Sequence, residues 1–170
     1  MPKASKPSAT KKAAKSETGK SGAKSNVVAA QIELPSIIDE STVFDQYIGK
    51  PTGALMISCK KIARINSAGI RAWKGCFDHL DKNGISLTFV DCPPVVLQQV
   101  AIFDNFLSGG TISSVLVPYL CQICGKSFEK HYTVSELKKN KCDFQPSKCD
   151  KCGAMAEFDD DFDIYTRLIE

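Results

Sequence analysis

Two copies of one short unit, Cys121-Gln122-Ile123-Cys124-Gly125 and Cys149-Asp150-Lys151-Cys152-Gly153, constrain the fold of this chain more than any other feature. A Cys-x-x-Cys turn aims two thiolates at one point, and the glycine after it lets the backbone take a positive φ. Two such turns bring four sulfur donors together, the donor set around which a tetrahedral structural zinc site closes. The spacing therefore predicts one zinc held by Cys121, Cys124, Cys149 and Cys152, with no open position for catalysis.

The pattern resembles a zinc ribbon, in which two short hairpins are clamped by the metal and little apolar core is required. Residues 119–170 are assigned to this module, and the zinc is expected to serve as its core. A structural zinc contributes an apparent ~10–16 kcal/mol in finger peptides, which suits a segment with few apolar side chains. Other uses of the cysteines fit less well. Disulfides suit a secreted chain, but the amino-terminal residues lack an apolar signal stretch, and Cys59, Cys76 and Cys92 stand singly in apolar surroundings as small hydrophobes. A two-Cys two-His finger would need a histidine where Leu137 stands, and His79 and His131 are the only histidines. A redox site of thioredoxin type uses one Cys-x-x-Cys pair at a strand-to-helix junction, not two matched turns. Cys142 and His131 remain spare donors between the two units.

At the other end, residues 1–25 hold seven lysines against Glu17 alone, among Ala, Ser, Gly and Pro. Ordering such a segment costs on the order of 1–2 kcal/mol per residue with nothing apolar to offset it, so a disordered tail is expected. Of 22 basic and 19 acidic side chains in all, 15 and 18 lie outside this segment, so only the tail makes the chain basic. The segment lacks the features of a secretory signal or a transit peptide, and no run approaches the roughly 18 apolar residues of a membrane span. A cytoplasmic protein with no membrane partner is the expectation.

Between these ends the chain alternates strand and helix patterns. Residues 26–34 read as a strand, and 42–48 as a short helix with Val43, Phe44, Tyr47 and Ile48 facing inward. The apolar run 54–57 follows a Pro51-Thr52-Gly53 turn signal and suits a strand covered on both faces. Ile70, Trp73, Phe77 and Leu80 recur at helical spacing, with Asn83-Gly84 as a stop. Asn66 or Ser67 can cap that helix. Residues 85–90 give another strand. Pro93-Pro94 opens a helix that buries Val96, Leu97, Val100, Phe103, Phe106 and Leu107 and closes at Gly109-Gly110, and 111–117 form a last strand. This order implies an α/β layered domain over residues 26–118 with largely parallel pairing.

The apolar strand, Ile62, Ile65 and the sequence Asn66-Ser67-Ala68-Gly69-Ile70 resemble the central segment of the STAS domain, the family of bacterial anti-sigma factor antagonists. That family usually reads Asp-Ser-Ser/Thr-Gly-Leu here. Ser67 matches the serine that partner kinases phosphorylate, Gly69 the family's glycine and Ile70 its apolar position. Asn66 replaces the aspartate and Ala68 the second hydroxyl residue. The resemblance implies a STAS-like sheet-and-helix domain, a regulatory protein such as an anti-sigma-type kinase as partner, and candidate phosphorylation or partner-binding positions at Ser67, Asn66 and Gly69.

The expected function is therefore that of a signalling module that binds a regulatory protein, with a zinc ribbon attached. The alternative is a nucleic-acid-associated protein that uses its tail and the ribbon lysines Lys126, Lys130, Lys138, Lys139, Lys141 and Lys148, although aspartates interrupt that face. An enzyme is not expected, because no nucleophile-base pair, phosphate loop or open metal site is visible. Asp159, Asp160, Asp161 and Asp163 read as a solvated strand or turn whose apolar neighbours pack on the ribbon.

Overall fold

In the computed structural model, which describes residues 29–169, the chain runs β1 (Ala30–Glu33), β2 (Ile37–Ile38), α1 (Asp45–Ile48), β3 (Ala54–Ser58), β4 (Arg64–Ile65), α2 (Ser67–Lys82), β5 (Ser86–Val90), α3 (Pro94–Ile102), β6 (Thr111–Ile112), β7 (Ser114–Leu120), β8 (Ser127–Thr133), α4 (Val134–Asn140), β9 (Ser147–Lys148), β10 (Met155–Phe158) and α5 (Asp163–Thr166). The lysine-rich tail expected at 1–25 lies outside the described residues, as does the start of the strand expected at 26–34.

The architecture is mixed α/β. Four parallel strands lie in the order β1-β3-β5-β6. Strand β3 is interior, as its unbroken apolar run requires, and Leu55 and Ile57 pair with Leu87 and Phe89 of β5 in the buried layer. Helix α2 connects these two strands. Its apolar stripe buries Trp73 and Phe77 completely, and Trp73 stacks on Phe89 at 5.5 Å and Phe106 at 4.9 Å between ring centroids. The indole N–H donates to the Phe106 carbonyl at 3.0 Å, so this large side chain is buried without an orphaned donor. A separate parallel pair, β2 with β4, runs just before α2 and sets Ile38 opposite Ile65.

Three expectations about the core are corrected. The segment at 42–48 yields only the single turn α1, in which Phe44 and Ile48, four residues apart, face inward while Val43 and Tyr47 are exposed. Helix α3 stops at Ile102, and Phe103 takes extended dihedrals and lies partly in solvent. Phe106 still reaches the core, but through a turn in which Asn105 and Ser108 adopt positive φ. The strand expected at 111–117 is broken at Ser113 into β6 and β7.

That break joins the two halves of the protein. Strand β6 pairs with β5 in the parallel sheet, and Val115 makes one more parallel bridge, to Cys92. Between these pairings Asp91 takes φ 54°, and its amide donates to a side chain, Ser114 Oγ, at 2.8 Å. Strand β7 then enters a second, antiparallel sheet ordered β8-β7-β10-β9. The boundary expected at Pro118 thus falls inside a strand. Val115, Val117 and Tyr119 belong to the same buried cluster as Leu55, Phe89 and Trp73.

The second half is richer in apolar packing than its sequence suggested. Leu137, Cys142, Ala156 and Tyr165 are fully buried. Phe144 stacks on Phe158 at 4.7 Å and meets Tyr165 edge-on at 5.2 Å. Helix α4 opens with a capping box in which Thr133 and Glu136 satisfy each other's amides. Asp159, Asp160 and Asp161 lie in the turn expected there and Asp163 begins the short helix α5: the Tyr165 hydroxyl donates to Asp160 at 2.6 Å, and Arg167 donates to the Ala101 carbonyl of α3. Apolar packing therefore builds a core in this half, where the zinc alone was expected to serve as one.

Candidate functional site

The two Cys-x-x-Cys-Gly units fold alike. In the first, at the end of β7, the Cys121 amide donates to the Lys126 carbonyl at 2.9 Å and the Gly125 amide to the Cys121 carbonyl at 2.8 Å. In the second, between β9 and β10, Cys149 donates to Ala154 at 2.8 Å and Gly153 to Cys149 at 2.9 Å. Gly125 and Gly153 take φ of 68° and 76°, and no side-chain crowding demands a glycine at either position. Backbone conformation is the reason for both.

These turns bring Cys121, Cys124, Cys149 and Cys152 together, with all four sulfurs within 4.8 Å of one another. Cys121 Sγ lies 3.5 Å from Cys152 Sγ, and Cys124 Sγ 3.7 Å from Cys149 Sγ. A tetrahedron with zinc–sulfur bonds of about 2.3 Å has edges of about 3.8 Å, so the cluster has the size such an ion requires. Cys121 and Cys149 are buried, Cys124 is half-buried and Cys152 exposed.

The electrostatics favour a cation at the centre. The Cys124 amide, ahead of other donors, draws the Cys121 thiol down to about 7. The Ala154 amide pulls Cys152 in the same direction, but the hydrogen-bonded neighbour Cys121 and desolvation outweigh it and push Cys152 up to about 12. Four crowded thiols cannot all ionise by themselves, whereas a divalent cation deprotonates the thiols that bind it. Lys126 and Asp150 link the two units at 2.6 and 2.7 Å, and their hydrogen bond raises the lysine and lowers the aspartate. Residue position could have flagged this pair, since Lys126 follows the first unit directly and Asp150 lies inside the second.

The spare donors lie elsewhere. His131 sits in β8 opposite Leu116, and its Nε2 is 3.2 Å from Asp91 Oδ1. Cys142 is buried outside the four-sulfur cluster, and burial raises its thiol. His79 is exposed on α2, and Cys59 and Cys92 are buried beside the parallel sheet.

At the start of α2 the structure separates the roles of Asn66, Ser67 and Gly69. Asn66 is the N-cap, and its Oδ1 accepts from the Gly69 amide at 2.7 Å. Its Nδ2 donates to Glu40 Oε2 at 2.9 Å, and that bond holds the Glu40 carboxyl below its ordinary range. Gly69 lies against the backbone of Ile38, whose carbonyl oxygen would be 2.1 Å from an added Cβ. Ser67 is the first helical residue and is exposed, and among the described residues its hydroxyl takes no hydrogen bond. Sequence reasoning missed Glu40, because no local pattern couples residues 26 positions apart. Replacing Asn66 with Ala is expected to cost about 0.5–2 kcal/mol in thermal or denaturant unfolding, the usual value of an N-cap, whereas Ser67→Ala leaves the cap intact.

Among the described residues no helix is long and apolar enough to cross a membrane. Comparison of the chain with protein-family models, with curated proteins and with solved structures finds no match.

Proposed function

We propose that this protein is a cytoplasmic, non-enzymatic binding module of the anti-sigma factor antagonist type, in which Ser67 controls contact with a regulatory protein such as an anti-sigma-type kinase and the four cysteines hold a structural zinc. The observation that carries the reading is Ser67 itself: an exposed hydroxyl on the first residue of a 16-residue helix, left free of the capping duty that Asn66 performs. A phosphate there would bring roughly −1.5 to −2 charges to the positive end of the helix dipole, where the fold tolerates an anion. The same charge would stand near Glu40, which Asn66 holds at the helix start, and would turn this surface strongly acidic. A partner that packs on the unmodified face would be released.

The nucleic-acid alternative is weakened by the pairing of Lys126 with Asp150. Affinity purification from native cells separates the two readings, since a kinase or another regulatory protein supports the first and salt-removable nucleic acid the second. With the partner in hand, Ser67→Ala and Ser67→Glu are both expected to unfold near the wild-type midpoint. Binding is expected to persist in the alanine variant and to be lost in the glutamate variant. Equal binding by the two variants contradicts a charge switch at Ser67.

A further inference from the structure

Strand β8 is seven residues long and lies at the edge of the antiparallel sheet, whose order is β8-β7-β10-β9. Opposite residues of an antiparallel pair alternate between exchanging backbone hydrogen bonds and turning those groups outward. Both ends of the β7–β8 ladder give the same phase. The Cys121 amide donates to the Lys126 carbonyl just beyond one end, and the Val134 amide to the Ser113 carbonyl just beyond the other. Counting inward from either end, Phe128, Lys130 and Tyr132 bond to β7, while Ser127, Glu129, His131 and Thr133 turn their N–H and C=O groups away from it. Pro118 stands opposite Glu129, where β7 needs no amide, and its carbonyl accepts from Asp159 on the far side. The Thr133 amide is taken by the Glu136 carboxylate. Among the described residues, the outward groups of Ser127, Glu129 and His131 meet no strand, and all three residues are exposed. Such an edge is a template for a further strand unless a proline or a bulge blunts it, and β8 has no proline and keeps an unbroken register with β7.

We propose that the free edge of β8 docks on β8 of a second copy of this chain, antiparallel, about a two-fold axis at Lys130. Outward groups can meet outward groups along most of the strand in registers centred on Glu129, Lys130 or His131. The first sets two Glu129 carboxylates directly opposite, and like charges so placed are destabilising. The third sets two His131 rings opposite and leaves Glu129 against Thr133, whose amide is already bound. The register centred on Lys130 instead places Glu129 of each copy opposite His131 of the other, a carboxylate against the one side chain on that face able to carry positive charge. On the other face it sets Phe128 of each copy against Tyr132 of the other, in the non-hydrogen-bonded positions where cross-strand side chains come closest. Its unfavourable pair is Lys130 with itself. Each of these ammonium groups lies back over the rings of its own chain, 5.4 Å from the Tyr119 centroid and 5.8 Å from that of Tyr132. Glu129 and His131 then exchange backbone hydrogen bonds across the axis, and two four-stranded sheets become one continuous sheet.

The full chain, purified without chelator, is followed by sedimentation over a concentration series, with amide hydrogen exchange read at the same concentrations. The expected result is a monomer–dimer equilibrium in which the Glu129 and His131 amides, unbonded in the monomer, gain protection in step with the dimer fraction. Glu129→Pro removes an amide that β7 does not use, so this variant is expected to keep the wild-type Trp73 fluorescence and to sediment as a monomer. The register is tested by single cysteines at the three exposed or half-exposed centres. Mild oxidation of a Lys130→Cys chain is expected to yield a dimer linked from position 130 to position 130, mapped by peptide mass spectrometry, because that residue faces its own copy in a non-hydrogen-bonded pair. Glu129→Cys and His131→Cys chains are expected to give no link between like positions. If Glu129→Pro fails to fold, the exchange and cross-linking results decide. A monomer at every concentration overturns the proposal, as does a dimer that survives in folded Glu129→Pro. A 129–129 or 131–131 link in place of 130–130 overturns the register. Protection of the Glu129 and His131 amides in a chain that sediments as a monomer also overturns it, because the edge is then covered by the chain's own residues.

Discussion

On the proposed zinc reading, chelation is expected to open the two Cys-x-x-Cys turns while the parallel-sheet half stays folded. In the reduced protein the four sulfurs would lose their common ion, and the amides of Cys121, Gly125, Cys149 and Gly153 would lose their exchange protection as the two turns open. The apparent ~10–16 kcal/mol of a finger peptide is an upper bound for this chain. Leu137, Ala156 and Tyr165 are buried among apolar side chains and Phe144 stacks on Phe158, packing that does not depend on the sulfur ligands. The opening is therefore expected to be confined to the two turns. Trp73, the single tryptophan, lies in the other half, where it stacks on Phe89 and Phe106 and reports on the packing around them. Its fluorescence is expected to hold constant through chelation and to change only in the later global transition. A Cys149→Ser, Cys152→Ser double variant is expected to behave like the chelated protein and to bind no zinc. A tryptophan signal that moves with metal loss would show that strand β7 couples the two halves into one unfolding unit.

Gly69→Ala is expected to be the most damaging single methyl group that can be added at the start of α2. The new Cβ would stand 2.1 Å from the Ile38 carbonyl oxygen, 2.5 Å from its carbon and 2.9 Å from the Asp39 amide nitrogen. All three are backbone atoms, so no side chain can rotate aside, and α2 or β2 must shift with loss of the β2–β4 pairing. Overpacking in a core costs typically 1–3 kcal/mol and occasionally more, and this contact belongs at or above the top of that range, about 3 kcal/mol. Gly75→Ala on the same helix is the control. Its Cβ meets nothing within 4 Å, and replacing a mid-helix glycine by alanine is expected to stabilise by about 0.5–1 kcal/mol. Urea unfolding of the two variants should move the midpoint in opposite directions. Equal shifts would mean that the Ile38 backbone yields freely.

The residues that made the fold legible in advance were those whose partners lie close in sequence or whose chemistry admits few uses. The Cys-x-x-Cys-Gly units located the four-sulfur cluster because four thiols at this spacing converge on one point. The spacing of Ile70, Trp73 and Phe77 located α2, and the run at 54–57 located β3. What stayed hidden depends on distant contacts. Phe103 fits the apolar stripe of α3, yet the helix ends one residue earlier, and the turn that follows delivers Phe106 to Trp73 across a sequence gap of 33. Val43 and Tyr47 look inward-facing only if the helix is longer than one turn. The change of sheet at β7 carries no local signal beyond the paired Ser113-Ser114, and the aromatic group of Phe144, Phe158 and Tyr165 assembles from the α4–β9 loop, β10 and α5. At α2, the spacing allowed either Asn66 or Ser67 as cap, and the geometry selects Asn66.

Zinc K-edge X-ray absorption, read together with the metal content of protein purified without chelator, tests the metal centre most directly. The account predicts one zinc per chain and a first shell of four sulfurs at about 2.3 Å, with no lighter ligand. A nitrogen or oxygen at about 2.0–2.1 Å in that shell, or a zinc content near zero, would contradict it.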